Sequence, residues 1–319
     1  LYSLWTNYCV SESYEPGSTF KPVTVASALE EGVVKDGDTY VCKGFETVAD
    51  YKLKCHVFST IGSHGSLTVE QALMNSCNPY MIHLALEMGN SRFAYYQSLF
   101  GFGKTTGIDL PGETTGIVYG DRMTTIDAAC NSFGQTINVN MMQMMAAYCS
   151  IINGGMLYQP HIVKRIESAN GEVVKEYKAN LVRQTITAST SKLLRRYLKN
   201  TVEEGTAKKA GVTGYSVAGK TGTAQKGDRK DNKWIISFIG HAPAENPKFA
   251  IYVVIDEPYG TTGTSGSSAD VLTLTHNILE KLLPYMNVYK DASDEYEDTS
   301  SSPDELTVDG IPAGTASSN

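Results

Sequence analysis

The run FAIYVVID, Phe249 to Asp256, constrains the fold most. It is almost continuously apolar, as a central strand buried on both faces is, and it needs helices to cover it. Two further strand candidates precede it, Tyr215 to Thr221 and Trp234 to His241. The amphipathic segment Ser268 to Leu283 follows and reads as a covering helix halted at Pro284.

Helical patterns recur nearer the start of the chain. Pro22 to Glu31 forms a short helical run stopped by Gly32, and Thr68 with Gln71 makes a capping box that opens the next helix. Pro79 to Met88, Asn140 to Asn153 and Thr190 to Glu204 carry apolar faces at helical spacing. The methionines of the second of these are read as core packing. Six glycines and Pro111 make residues 101 to 120 a loop, and residues 156 to 187 alternate as strands do. Strands bracketed by helices from both ends of the chain predict an α/β (α+β) architecture with a central antiparallel sheet.

The chain has 319 residues, 41% hydrophobic and 19% charged, and a net charge of −7, which leaves no basic field for a nucleic-acid partner. No stretch approaches the roughly 20 apolar residues of a membrane span. The chain opens on Leu1-Tyr2-Ser3-Leu4-Trp5 and reads as a fragment whose upstream anchor has been removed. Residues 1–286 are expected to form one domain. The acidic, Ser- and Thr-rich stretch 287–319 is expected to be a disordered tail or linker.

Six cysteines occur with no Cys-x-x-Cys pair and no His-rich cluster at metal spacing, so neither a metal nor a cofactor is expected. Cys42 and Cys55 flank a polar segment, Lys43 to Lys54, with the look of a hairpin. A disulfide between them and a pair of free thiols both remain open readings.

Three short patterns carry the chemistry. Ser18-Thr19-Phe20-Lys21 puts a hydroxyl and an amine on one helix face at the mouth of a helix. A serine needs a base to become a nucleophile, and a lysine serves once its pKa is lowered. Ser76-Cys77-Asn78 breaks two helical runs, and Lys220-Thr221-Gly222-Thr223 sits in a strand candidate, its lysine and hydroxyls suited to a carboxylate. S-x-x-K, S-x-N and K-T-G in this order match the set of penicillin-binding proteins and serine β-lactamases. With the flanking YEPGSTFKP, MNSCNP, TGIDLPGE, FGQ and AGKTGTAQ, the chain resembles class B penicillin-binding proteins of the division and sporulation type from about Leu4 to Leu283.

That resemblance implies a penicillin-binding, serine β-lactamase-like fold from which the N-terminal strands are missing. It implies a serine D,D-transpeptidase in which Ser18 attacks the D-Ala-D-Ala end of a peptidoglycan stem peptide. Lys21 would be the general base, Ser76 a proton relay to the leaving amine, and Asn78 a ligand of the substrate amide that also holds Lys21. Lys220, Thr221, Gly222 and Thr223 would bind the substrate carboxylate, and the backbone N–H groups of Ser18 and Thr223 would form the oxyanion hole. β-Lactam antibiotics would acylate the same serine. The implied location is the extracytoplasmic face of the cell membrane, with a membrane glycosyltransferase as partner.

A serine β-lactamase, a D,D-carboxypeptidase and a β-lactam sensor share these motifs. Class A β-lactamases carry a deacylating Glu in E-x-x-L-N, which the sequence lacks. Gly214 to Thr221 also matches the phosphate-loop pattern of nucleotide hydrolases, with IYVVID as its partner strand. A phosphate loop must open a helix, though, and the glycine-rich GTAQKGD that follows does not.

Overall fold

In the computed structural model, residues 5–227, 233–258 and 267–292 are described. The chain begins with α1 (Tyr8–Ser11), a 3₁₀ turn (Gly17–Phe20) and α2 (Lys21–Glu31). Four short strands follow, β1 (Thr39–Cys42), β2 (Phe45–Val48), β3 (Tyr51–Lys54) and β4 (Gly65–Thr68). Then come α3 (Val69–Met74), α4 (Asn78–Met88), α5 (Asn90–Leu99), α6 (Thr125–Asn131) and α7 (Met141–Ile152). A peripheral set, β5 (Met156–Gln159), β6 (Arg165–Glu167), β7 (Val173–Glu176) and β8 (Asn180–Gln184), leads to α8 (Ala188–Glu203). The chain closes with β9 (Ala218–Lys226), β10 (Lys233–Ala242), β11 (Phe249–Asp256) and α9 (Ala269–Tyr285).

The last three strands form an antiparallel sheet in the order β11-β10-β9. The central strand is therefore β10, whose Ile235 to Ala242 are all buried. The apolar run expected to be central, β11, lies at the sheet edge among the described residues and is half-buried along its length. Its composition has a different cause. Ala250 and Tyr252 pack into the core that holds α2, α4 and α7. Phe249, Ile251, Val253 and Ile255 pack into a second core beneath α9. Continuous apolarity reports a layer on each face and says nothing of neighbours at each edge.

The helices start and stop where the chain's polar residues dictate. Thr68 and Gln71 make the reciprocal capping box at α3, Asn140 and Gln143 make another at α7, and Gly32 ends α2 in the left-handed conformation. Met144 lies in the core, as its helical spacing predicts. Three helices go unread in the sequence, the single turn α1 among them. α6 has a signal in Thr124 and Asp127, a capping box, whereas α5 follows Gly89 with no side-chain cap. Pro284 does not halt α9, which runs on to Tyr285, because a proline in the last turn forfeits a single backbone bond. Just past the expected boundary at 286, Val288 packs into the second core and Asp291 accepts hydrogen bonds from Ser216. The acidic stretch from residue 293 onward lies outside the described residues.

The polar segment between Cys42 and Cys55 does form a hairpin, β2 paired with β3. Its flanking cysteines are not bonded to each other, since all six cysteines are free thiols. Both are buried, and they gather with His64 and Cys77, a convergence that no short-range spacing announces.

Candidate active site

Ser18 lies in the 3₁₀ turn, and Lys21 is the first residue of α2. A 3₁₀ turn has about three residues per turn, so residues three apart eclipse, and Lys21 is stacked on the Ser18 side. The Lys21 side chain is completely buried. Burial pushes its pKa down to about 8, while the nearby Cys77 and Cys55 thiols act in the opposite sense.

An ammonium has three protons to place, and Lys21 places them on Ser76 O at 2.5 Å, Ser76 Oγ at 2.9 Å and Asn78 Oδ1 at 2.7 Å. Ser76 Oγ in turn donates to Ser18 Oγ at 3.0 Å. The lysine thus reaches the nucleophile through Ser76, where the spacing of the motif alone suggests a direct contact. Asn78 also donates from Nδ2 to Lys54 O at 3.3 Å, tying the site to β3. Ser76 has a φ of +53°, a conformation costly for a residue with a Cβ, and it joins α3 to α4 so that hydroxyl and carbonyl both face Lys21.

The opposite wall is β9. Its Lys220, also fully buried, donates to Thr221 O at 3.1 Å and Thr221 Oγ1 at 3.3 Å. Burial pushes its pKa well down, and the Lys21 charge adds to the effect. Gly222 is required by close approach: a Cβ there would lie 2.5 Å from Ser237 Oγ, 2.8 Å from Thr19 Cγ2 and 2.9 Å from Pro16 O. Thr223 follows, half-buried. The strand continues to Lys226, five residues beyond the Thr221 end expected from sequence, and no helix starts at the GKT residues. Gly214 to Thr221 is therefore no phosphate loop. Asp256, which ends the supposed partner strand IYVVID, binds Lys226 at 2.8 Å and accepts from the Tyr8 hydroxyl at 3.1 Å.

Sequence reasoning missed the residues that hold the nucleophile turn against the sheet. Tyr14 donates to the Tyr252 hydroxyl at 2.7 Å, Thr19 Oγ1 lies 3.3 Å from the same hydroxyl, and Thr19 also bonds Pro16 O at 2.7 Å. Tyr14 and Thr19 lie within YEPGSTFKP, but Tyr252 carries no motif signature, and the three meet only in the folded chain. The FGQ segment supports the turn from behind. Gly17 N donates to Gly134 O at 2.9 Å, and a Cβ on Gly134 would fall 2.0 Å from Gly17 O. TGIDLPGE stays apart from this cleft. Its Glu113 accepts from Thr106 and Gly107, and its Asp109 from Ile162 and Val163, so it braces a loop.

Known proteins resemble this chain in sequence and fold. The family described as penicillin binding protein transpeptidase domain matches residues 2–280. Stage V sporulation protein D of Bacillus subtilis (strain 168) is 41% identical over 288 residues, covering 88% of this chain and 44% of that protein. Peptidoglycan D,D-transpeptidase FtsI of Escherichia coli (strain K12) is 32% identical over 292 residues, covering 90% of this chain and 46% of its own length. The chain thus spans less than half the length of these relatives. Among solved structures, penicillin binding protein 3 of Mycobacterium tuberculosis complexed with ampicillin superposes with a TM-score of 0.81 at 29% identity, over 91% of this chain and 66% of that one.

Proposed function

The chain belongs to the penicillin-binding protein transpeptidase domain family, and from that membership we propose that it cross-links peptidoglycan stem peptides through an acyl-enzyme on Ser18. The observation that carries this reading is the hydrogen-bonded chain from Ser18 through Ser76 to a buried Lys21 of lowered pKa.

In the proposed reaction Lys21 starts as the neutral amine. Ser18 Oγ attacks the carbonyl carbon between the two terminal D-alanines, and its proton passes to Lys21 directly or through Ser76. The negative oxygen of the tetrahedral intermediate is held by the backbone N–H groups of Ser18 and Thr223. The intermediate collapses by breaking the C–N bond. The departing amine of the last D-alanine takes a proton through Ser76, leaving an ester on Ser18. An amine from a neighbouring stem peptide then attacks that ester, restores the Ser18 hydroxyl and makes the new amide. Asn78 orients both Lys21 and the substrate amide, while Lys220, Thr221, Gly222 and Thr223 receive the terminal carboxylate. A β-lactam would enter the same path, except that its broken amide stays tethered and no leaving group departs.

The stem peptides lie outside the cytoplasmic membrane, so we place the domain there, anchored upstream and working beside a membrane glycosyltransferase that supplies glycan strands. The test is chemical. Intact mass after incubation with a fluorescent penicillin is expected to rise by one adduct, absent in Ser18→Ala; an adduct that persists in the variant overturns the assignment. A stem-peptide donor offered with and without an amine acceptor is expected to give cross-linked product only with the acceptor. Hydrolysis alone would indicate a carboxypeptidase, and rapid release of opened penicillin a β-lactamase.

A further inference from the structure

The sequence contains no local metal-binding spacing, yet the fold brings Cys42, Cys55, His64 and Cys77 together, with one potential ligand atom from each lying within 4.8 Å of all the others. They come from four separate places: the end of β1, the residue after β3, the residue before β4, and the turn between α3 and α4. The β1–β4 ladder pairs Cys42 with Gly65, which carries His64 to the same end as Cys42. The β2–β3 hairpin returns the chain to Cys55, next to where it left. The three cysteines are buried and His64 is half-buried.

The distances suit one ion. Tetrahedral zinc with Zn–S near 2.3 Å and Zn–N near 2.0–2.1 Å requires edges of about 3.8 Å between sulfurs and about 3.6 Å between sulfur and nitrogen. His64 Nδ1 lies 3.5 Å from Cys55 Sγ and 3.8 Å from Cys42 Sγ.

A second observation points the same way. The Gly44 N–H donates to Cys42 Sγ at 3.4 Å. Such a bond is of the kind that orients a metal ligand from its outer side.

We propose that Cys42, Cys55, His64 and Cys77 form a zinc site that staples the β1–β4 segment to the Ser76–Asn78 turn of the catalytic cleft. Binding releases the three thiol protons, His64 enters as the neutral ring through Nδ1, and the filled site carries a net charge of −1. The segment has reason to need a staple. It consists of two-stranded pairs, which are marginal alone, and it leaves Val41, Tyr51 and Ile61 exposed. Cys77 is the middle residue of the motif that supplies Ser76 and Asn78, so the metal would hold the backbone between Lys21's two partners. The positioning role rests on the proposed acylation of Ser18; the metal site does not.

The experiment measures metal on untagged wild-type domain purified without added zinc, then after loading and desalting. One zinc per chain is expected. Cobalt(II) exchanged into the site is expected to give the intense visible bands of a tetrahedral thiolate complex, which needs no variant and no activity. Cys42→Ser and His64→Ala are expected to lose zinc and cobalt. Loaded wild-type protein that retains no zinc, or a Cys42→Ser variant with undiminished metal, overturns the site. So does a Cys42–Cys55 disulfide found by non-reducing peptide mapping of protein recovered from outside the cytoplasm. Stripping with a chelator is expected to slow penicillin acylation tenfold or more, restored by Zn²⁺; an unchanged rate in stripped protein overturns the positioning role while leaving the metal count to stand.

Discussion

On the helical wall of the cleft, Lys21 is buried with three acceptors from Ser76 and Asn78 around it. On the sheet wall, Lys220 is buried just as deeply, and its described bonds run to the adjoining Thr221 alone. The difference separates two uses of a buried cation. Lys21 sits in a finished network that links it through Ser76 to Ser18. Lys220 has lost its water without gaining a counter-ion among the described residues, so on the proposed reading an arriving carboxylate meets a group that is already desolvated. In the proposed reaction one wall moves a proton and the other receives an anion.

Removing the base tests the helical wall. Lys21→Ala is expected to lower the rate of acylation by penicillin about a hundredfold to ten-thousandfold, the usual worth of a general base. In the wild type that rate is expected to climb with pH up to about 8 and level off above it, because the neutral amine accumulates as pH rises through the Lys21 pKa. A flat profile from pH 6 to 9 would remove Lys21 from the proton path.

The sheet wall responds to a smaller change. Lys220→Ala is expected to slow carboxylate-bearing β-lactams by roughly tenfold or more, since a charge-assisted hydrogen bond is worth about 1.5–3 kcal/mol. The melting temperature should hold, because the lysine removed is desolvated and poorly paired. Equal acylation rates would make Lys220 structural and erase the contrast between the walls.

The smallest effect belongs to the scaffold behind them. Thr68 caps α3, the helix that delivers the Ser76 turn. Thr68→Ala is expected to cost about 1 kcal/mol in urea unfolding and to leave acylation unchanged. A matching loss of acylation would mean that the Ser76 conformation depends on that cap.

Local spacing made the three motifs legible, along with most helices, the Cys42–Cys55 hairpin and the strands around Lys220. Each rests on residues a few positions apart. What the sequence concealed was set by the folded chain. The edge position of β11 was hidden because faces, not edges, write the apolar pattern. The path from Lys21 to Ser18 through Ser76, and the Tyr14–Tyr252–Thr19 contacts, depend on segments far apart in the chain. Cys42, Cys55, His64 and Cys77 were unreadable for the same reason, since they converge from separate elements.

The Tyr14–Tyr252 bond spans 238 positions, and the Tyr8–Asp256 bond spans 248. This has a consequence in time. During synthesis Ser18 leaves the ribosome well before β9 to β11 do. At about 5–20 residues per second the wait is roughly 10 to 50 seconds. Throughout that interval the nascent serine has neither a sheet wall nor the tyrosine that steadies its turn. The reactivity proposed for Ser18 is thereby withheld from the growing chain until β9 to β11 have emerged.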